Sequence, residues 1–147
     1  MITDDYHLNE EASKMASYLL GSCICEKVKY EVKDDFMSFK LCHCRLCQKA
    51  SGSSNVANAF TFVENISWLQ GKNHLKSFDV PNSQVRRVFC KTCGTSMPFV
   101  TQNERLLVVP VGTLSSQPKL PPQEVRVWHE RMPWYDESKS LEPQLSS

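Results

Sequence analysis

Seven cysteines, gathered into short local pairs, constrain this chain more than any other feature of its sequence. Cys23-Ile24-Cys25 and Cys42-His43-Cys44 are C-x-C pairs, Cys44-Arg45-Leu46-Cys47 and Cys90-Lys91-Thr92-Cys93 are C-x-x-C pairs, and no cysteine stands outside them. An odd count in paired spacing is the pattern of metal ligation, since disulfides usually tie distant segments through single residues. In an extended strand residues i and i+2 share a face, so a C-x-C pair presents two sulfurs together. A C-x-x-C pair on a tight turn does the same. Gly94, directly after Cys93, supplies the left-handed residue such a turn often needs.

Seven divides as four plus three. A closed structural zinc site takes four protein ligands, and a catalytic one keeps three with a position open. Cys42, Cys44 and Cys47 are compact enough to hold one ion, which leaves the pair Cys23/Cys25 and the pair Cys90/Cys93 to close another across the fold. In the competing arrangement His43 completes a Cys₃His set and both ions are structural, although its ring in an extended C-x-C points away from the metal. Redox use of the C-x-x-C pairs would call for an alternating β/α pattern that this chain does not show. Arg45 and Lys49, beside the three-cysteine set, are candidates for an anionic ligand; Lys27 and Lys91 read as ordinary turn cations.

Seventeen basic against sixteen acidic residues leave a net charge of +1, which excludes a polyanion-coating surface, and no nucleic-acid partner is expected. No apolar run approaches the roughly 18 residues of a membrane span, and MITDDYHLNEE opens polar and acidic rather than as a signal peptide. A cytoplasmic protein without a membrane partner is expected, in a compartment that keeps thiols reduced.

A chain of 147 residues suits one domain. Residues 1–17 read as a flexible polar leader, with a short helix expected over Asn9 to Leu20, and residues 138–147 as a flexible tail. Between them short alternating stretches predict strands at Val28–Val32, Val56–Val63, Gln84–Phe89, Leu106–Val111 and Glu124–Trp128. One or two helical turns are expected over Arg45 to Ser51. The fold class is mostly β, pinned by zinc.

The order of the motifs resembles a known family. Gly21-Ser22-Cys23-Ile24-Cys25 before Val28-x-Tyr30 is followed by Cys42-His43-Cys44-Arg45-Leu46-Cys47-Gln48-Lys49-Ala50-Ser51-Gly52, then Phe89-Cys90-Lys91-Thr92-Cys93-Gly94, and finally Trp128-His129-Glu130-Arg131-Met132-Pro133-Trp134. This set, over residues 18–137, is similar to the glutathione-dependent formaldehyde-activating enzyme (Gfa) family, whose domain also occurs in a centromere protein. The resemblance implies a β-tent of small antiparallel sheets like that of methionine-R-sulfoxide reductases. It implies two zinc ions per chain: Cys23, Cys25, Cys90 and Cys93 around the structural one, and Cys42, Cys44 and Cys47 around a catalytic one that need not be fully loaded. It also implies a carbon–sulfur lyase whose substrate is a glutathione–formaldehyde adduct. Glu26 stands where the family usually has glycine, and Ile24 where histidine is common.

An open three-thiolate zinc suits capture of a soft sulfur ligand better than generation of strong hydroxide. Arg45 and Lys49 would attract the carboxylates of glutathione, and Ser51, with Ser53 and Ser54, would donate hydrogen bonds near the metal. A non-catalytic interaction module with two structural zincs is the competing reading. Sulfoxide reduction would need a nucleophilic cysteine beyond the metal set, and every cysteine is committed.

Overall fold

The computed structural model describes residues 17–145. Ten short strands form three sheets, in the spatial orders β1-β2-β5, β10-β3-β4-β9-β8 and β6-β7. The strands are β1 (Tyr18–Ser22), β2 (Lys29–Lys33), β3 (Ser38–Cys42), β4 (Val56–Thr61), β5 (Ile66–Gln70), β6 (Leu75–Asp79), β7 (Arg86–Cys90), β8 (Phe99–Val100), β9 (Leu107–Pro110) and β10 (Glu124–Arg126). Two short helices, Arg45–Ser51 and Trp134–Ser138, accompany them. The mostly-β class and the small sheets are as the sequence indicates.

Alternation decides which residues face inward. In β2 Tyr30 and Val32 are buried while Lys29, Glu31 and Lys33 are half-buried. The same period gives the five-stranded sheet two unlike faces. Phe39, Ala59 and Val109 are register partners across β3, β4 and β9 and point into the interior. The core gathers Leu19, Val28, Tyr30, Val32, Val88, Met97, Leu107 and Val109, together with Cys23 and Cys90. Lys40, Cys42, Asn58, Phe60, Val108 and Phe99 occupy the opposite face, which forms the floor of a cavity.

Two expectations change. β10 pairs with β3 in parallel, with Arg126 opposite Cys42, so the sheets are not wholly antiparallel. The chain reaches that edge through the long Pro-rich segment after β9, and a crossover of this kind permits parallel pairing. The helix expected over Asn9 to Leu20 does not extend through its end, because Tyr18, Leu19 and Leu20 lie in β1, where Leu19 packs opposite Val32. Residues 1–16, with most of the expected leader, lie outside the described residues. At the other end, Ser138 closes a helix and the Lys139 ammonium sits 4.5 Å above the Trp128 ring.

Candidate metal centres

The strands deliver the cysteines as two separate groups. Cys23, Cys25, Cys90 and Cys93 place their four sulfurs within 4.8 Å of one another, and Cys42, Cys44 and Cys47 do the same with three. Either group could hold a metal ion. His43 has no nitrogen in the second group, which removes the Cys₃His arrangement.

The four-cysteine group joins the end of β1 to the end of β7. Cys23 Sγ lies 3.6 Å from Cys25 Sγ, and Cys25 Sγ lies 3.7 Å from Cys90 Sγ. A tetrahedral ion with the 2.3 Å metal–sulfur bonds usual for zinc needs sulfur–sulfur edges of about 3.8 Å, so the donors fit such an ion. Backbone donors support them: Val28 N–H points at Cys23 Sγ at 3.4 Å. Thr95 links the two halves, accepting from Ile24 N–H at 3.1 Å while its hydroxyl lies 3.2 Å from Cys93 Sγ. That hydroxyl, with nearby backbone N–H groups, brings the Cys93 thiol down to about 5. Gly94 has φ +76°, as its place after the second ligand predicts. Glu26 also lies in the left-handed region, at φ 64°.

The three-cysteine group has a different setting. Cys42 ends β3, and Cys44 is the N-cap of the Arg45–Ser51 helix, with its sulfur accepting from Cys47 N–H at 3.2 Å. Cys44 Sγ and Cys47 Sγ stand 2.9 Å apart. Burial and the neighbouring sulfurs push the Cys47 thiol up.

His43 faces away from these sulfurs. Its ring is almost wholly enclosed and meets Trp128 and Tyr135 edge-on, at centroid distances of 5.0 and 4.8 Å. Burial, then the Arg131 and Lys139 charges, hold it below the usual imidazole range, and Nδ1 is buried without a hydrogen-bond partner. Buried Gln48 completes the support: its amide donates to the His43 carbonyl at 2.6 Å and to the Glu130 carbonyl at 3.0 Å. The C-terminal segment thereby anchors the helix that carries Cys47.

Cys42, Cys44 and Cys47 line a cavity of about 290 Å³. Lys40, Arg126, Asn58, Gln84 and Thr101 are its polar lining, and Phe60, Phe99, Val85 and Val108 are apolar walls. Val127 forms part of the rim at φ 52°, a strained conformation for a β-branched residue and one that clusters at functional sites. Arg45 and Lys49 line a different depression, of about 510 Å³, with Gln48 and Trp134. Ser51 Oγ donates to the Cys47 carbonyl at 2.8 Å, at the end of the helix. Sequence reasoning passed over Lys40, Asn58 and Arg126. The Lys40-x-Cys42 spacing was the available signal, because it puts both side chains on one face of a strand.

These features define a class of small β domain with two cysteine sets that could each hold a metal ion, one tied into the core and one facing a cavity. The sequence model described as "Glutathione-dependent formaldehyde-activating enzyme" matches residues 18–131, and the chain belongs to that family. An uncharacterized lyase of Schizosaccharomyces pombe is 26% identical over 83 residues, which is 56% of this chain. The chain spans 58% of that relative's length. The crystal structure of a Rhodobacter sphaeroides protein superposes with a TM-score of 0.57 at 19% identity, covering 72% of this chain and 98% of that one. That likeness supports the fold. Among the described residues no helix is long and apolar enough to cross a membrane.

Proposed function

We propose that the chain is a zinc-dependent carbon–sulfur lyase acting on an adduct of glutathione and an aldehyde, of the S-hydroxymethylglutathione kind, in the reducing cytoplasm. The observation that carries this reading is the three-cysteine group facing a cavity, in a member of this family. Cys42, Cys44 and Cys47 would hold the catalytic zinc, and Cys23, Cys25, Cys90 and Cys93 the structural one. Zinc in the first group would supply Lewis acidity and hold a thiol as thiolate near neutral pH.

In the forward direction the thiol sulfur bonds to the aldehyde carbon, and the thiol proton ends on the aldehyde oxygen. In reverse the carbon–sulfur bond breaks and that proton returns to sulfur. The protein's own part is positioning. The Cys47 N–H bond to Cys44 Sγ fixes two donors, and the Gln48 amide fixes the loop that carries them. Phe60, Phe99 and Val108 give the floor an apolar surface beside the cysteines. The Asn58 and Gln84 amides are neutral donors available to the hydroxymethyl oxygen. Arg45 and Lys49, with Ser53 and Ser54, would act on any part of the tripeptide that extends around the helix toward the second depression, while Ser51 caps the end of the helix.

Proton exchange NMR of formaldehyde with glutathione tests the reading. Zinc-loaded protein should accelerate exchange, and Cys47→Ser should abolish the acceleration while leaving a folded chain. No acceleration by loaded protein removes the activity and leaves a binding module.

A further inference from the structure

We propose that Lys40 and Arg126 form a clamp for a carboxylate, so that the cavity selects thiols carrying an acid group a few bonds from sulfur. This rests on the reading of Cys42, Cys44 and Cys47 as an open site, and it names the substrate feature that the site selects.

Register places both cations around one ligand. Lys40 lies two residues before Cys42 on the same face of β3, roughly 6.6 Å along the strand. Arg126 is the direct partner of Cys42 on β10, roughly 4.8 Å across the sheet. Asn58 is the register partner of Lys40 on β4. All four side chains line the cavity, and no aspartate or glutamate does.

Glu124, the register partner of Lys40, stands between the cations but engages neither closely. Its oxygens are 3.8 Å from Lys40 Nζ and 4.0 Å from Arg126 Nε, beyond hydrogen-bond range. Its side chain is also half exposed, at 52%, where such pairs contribute little. Among the described residues, Lys40 and Arg126 make no side-chain hydrogen bond. Lys40 Nζ also rests 5.3 Å above the Phe60 ring, and the Lys40 and Arg126 side chains are 25% and 50% exposed, so an incoming acid reaches both cations from solvent and displaces only the loose Glu124 pairs.

Size narrows the class. A cavity of about 290 Å³ lies at the lower end for small-molecule sites. It takes the reacting end of a thiol with its nearby carboxylate. A small mercapto acid and the carboxylate-bearing end of a peptide thiol share this chemistry.

Cobalt-loaded protein gives a readout independent of turnover, because a thiolate entering the open position changes the cobalt absorption spectrum. The probes are 3-mercaptopropionate, its methyl ester, glutathione and the glycyl ethyl ester of glutathione. Each acid should bind about tenfold to a hundredfold more tightly than its ester, the range of one to two charge-assisted hydrogen bonds. That preference should shrink as salt rises. Lys40→Gln and Arg126→Gln should each weaken the acids about tenfold and leave the esters within about twofold. A preference for the mercaptopropionate pair alone supports the clamp for small acids; a preference in both pairs supports it for peptide thiols as well. Equal binding of acid and ester in both pairs overturns the clamp while the open site stands, and this comparison needs no variant to fold. No spectral response to any thiol overturns the open site and the clamp together.

Discussion

The Tyr30 ring lies across the backbone of Gly21, its register partner on β1, in the space where a side chain at position 21 would project. A Cβ there would overlap the ring carbons and the phenol oxygen. The phenol oxygen is also 2.6 Å from Thr113 Oγ1, and that hydroxyl donates to the Pro110 carbonyl at 2.8 Å. One contact therefore ties β1, β2 and the turn after β9, and it explains why the opening motif couples this glycine to this tyrosine. Gly21→Ala should destabilise by about 2 kcal/mol through overpacking. Urea unfolding monitored by circular dichroism measures it, and an unchanged midpoint would contradict the contact.

Tyr30 is fully buried, and burial pushes its phenol up to about 12, against a smaller opposing effect of the Thr113 hydroxyl. The unfolded chain deprotonates first, so this stabilisation is complete below about pH 10 and lost as pH rises through the folded value. The loss amounts to roughly 2–3 kcal/mol. Absorbance near 295 nm should show one tyrosine ionising late, together with unfolding, and Tyr30→Phe should remove that step.

The two cysteine groups should respond differently to loss of a ligand. Cys90 is fully buried in the core and Cys23 nearly so, so an ion at the four-cysteine group is part of the folding energetics. Cys90→Ser should lower stability by several kcal/mol and drop the bound metal. Cys47→Ser should leave the melting temperature close to that of the unaltered protein while removing at most one metal per chain. A chelator should likewise empty the three-ligand group first. Metal analysis alongside thermal melts tests both, and equal destabilisation by the two variants would show that both sites are structural.

The clustering of the cysteines was partly legible because pair spacing is local. C-x-C and C-x-x-C pairs state which neighbouring sulfurs share a face, whereas the meeting of Cys23/Cys25 with Cys90/Cys93 is a contact across the fold that spacing alone leaves open. Strands with β-branched alternation, such as Lys29–Lys33, were legible for a similar reason. β5 and β6 were not, because several of their residues are exposed and the alternation is diluted. The cations beside Cys42 were hidden for a different reason. Arg126 reaches that cysteine only through the parallel pairing of β10 with β3, a contact across 84 residues that no local pattern announces. Arg45 and Lys49 are near the ligands in sequence, yet the helix turns them toward another depression.

His43 should prove to be a packing residue between two ligands. Its ring contacts Trp128 and Tyr135 edge-on, and its buried Nδ1 has no partner to lose. His43→Phe keeps an aromatic ring and removes a desolvated acceptor, so metal content should be unchanged and stability altered by less than about 1.5 kcal/mol. His43→Ala leaves a cavity and should cost about 3 kcal/mol. Metal analysis of the Phe variant is decisive, since loss of an ion would make the ring a ligand.

Glu26 occupies the left-handed region at φ 64° directly after Cys25, while its N–H donates to the Cys23 carbonyl at 3.1 Å. Its side chain is exposed, so the backbone conformation serves the ligand turn. A residue with a Cβ in that region costs roughly 1–2 kcal/mol, while glycine carries an entropic cost of roughly 0.5–1 kcal/mol in the unfolded chain. Glu26→Gly should therefore stabilise by about 0.5–1 kcal/mol and raise the melting temperature by a few degrees. Glu26→Ala keeps the strain and should not. A Gly variant that melts below the unaltered protein would mean that the Glu26 side chain contributes more than its conformation costs.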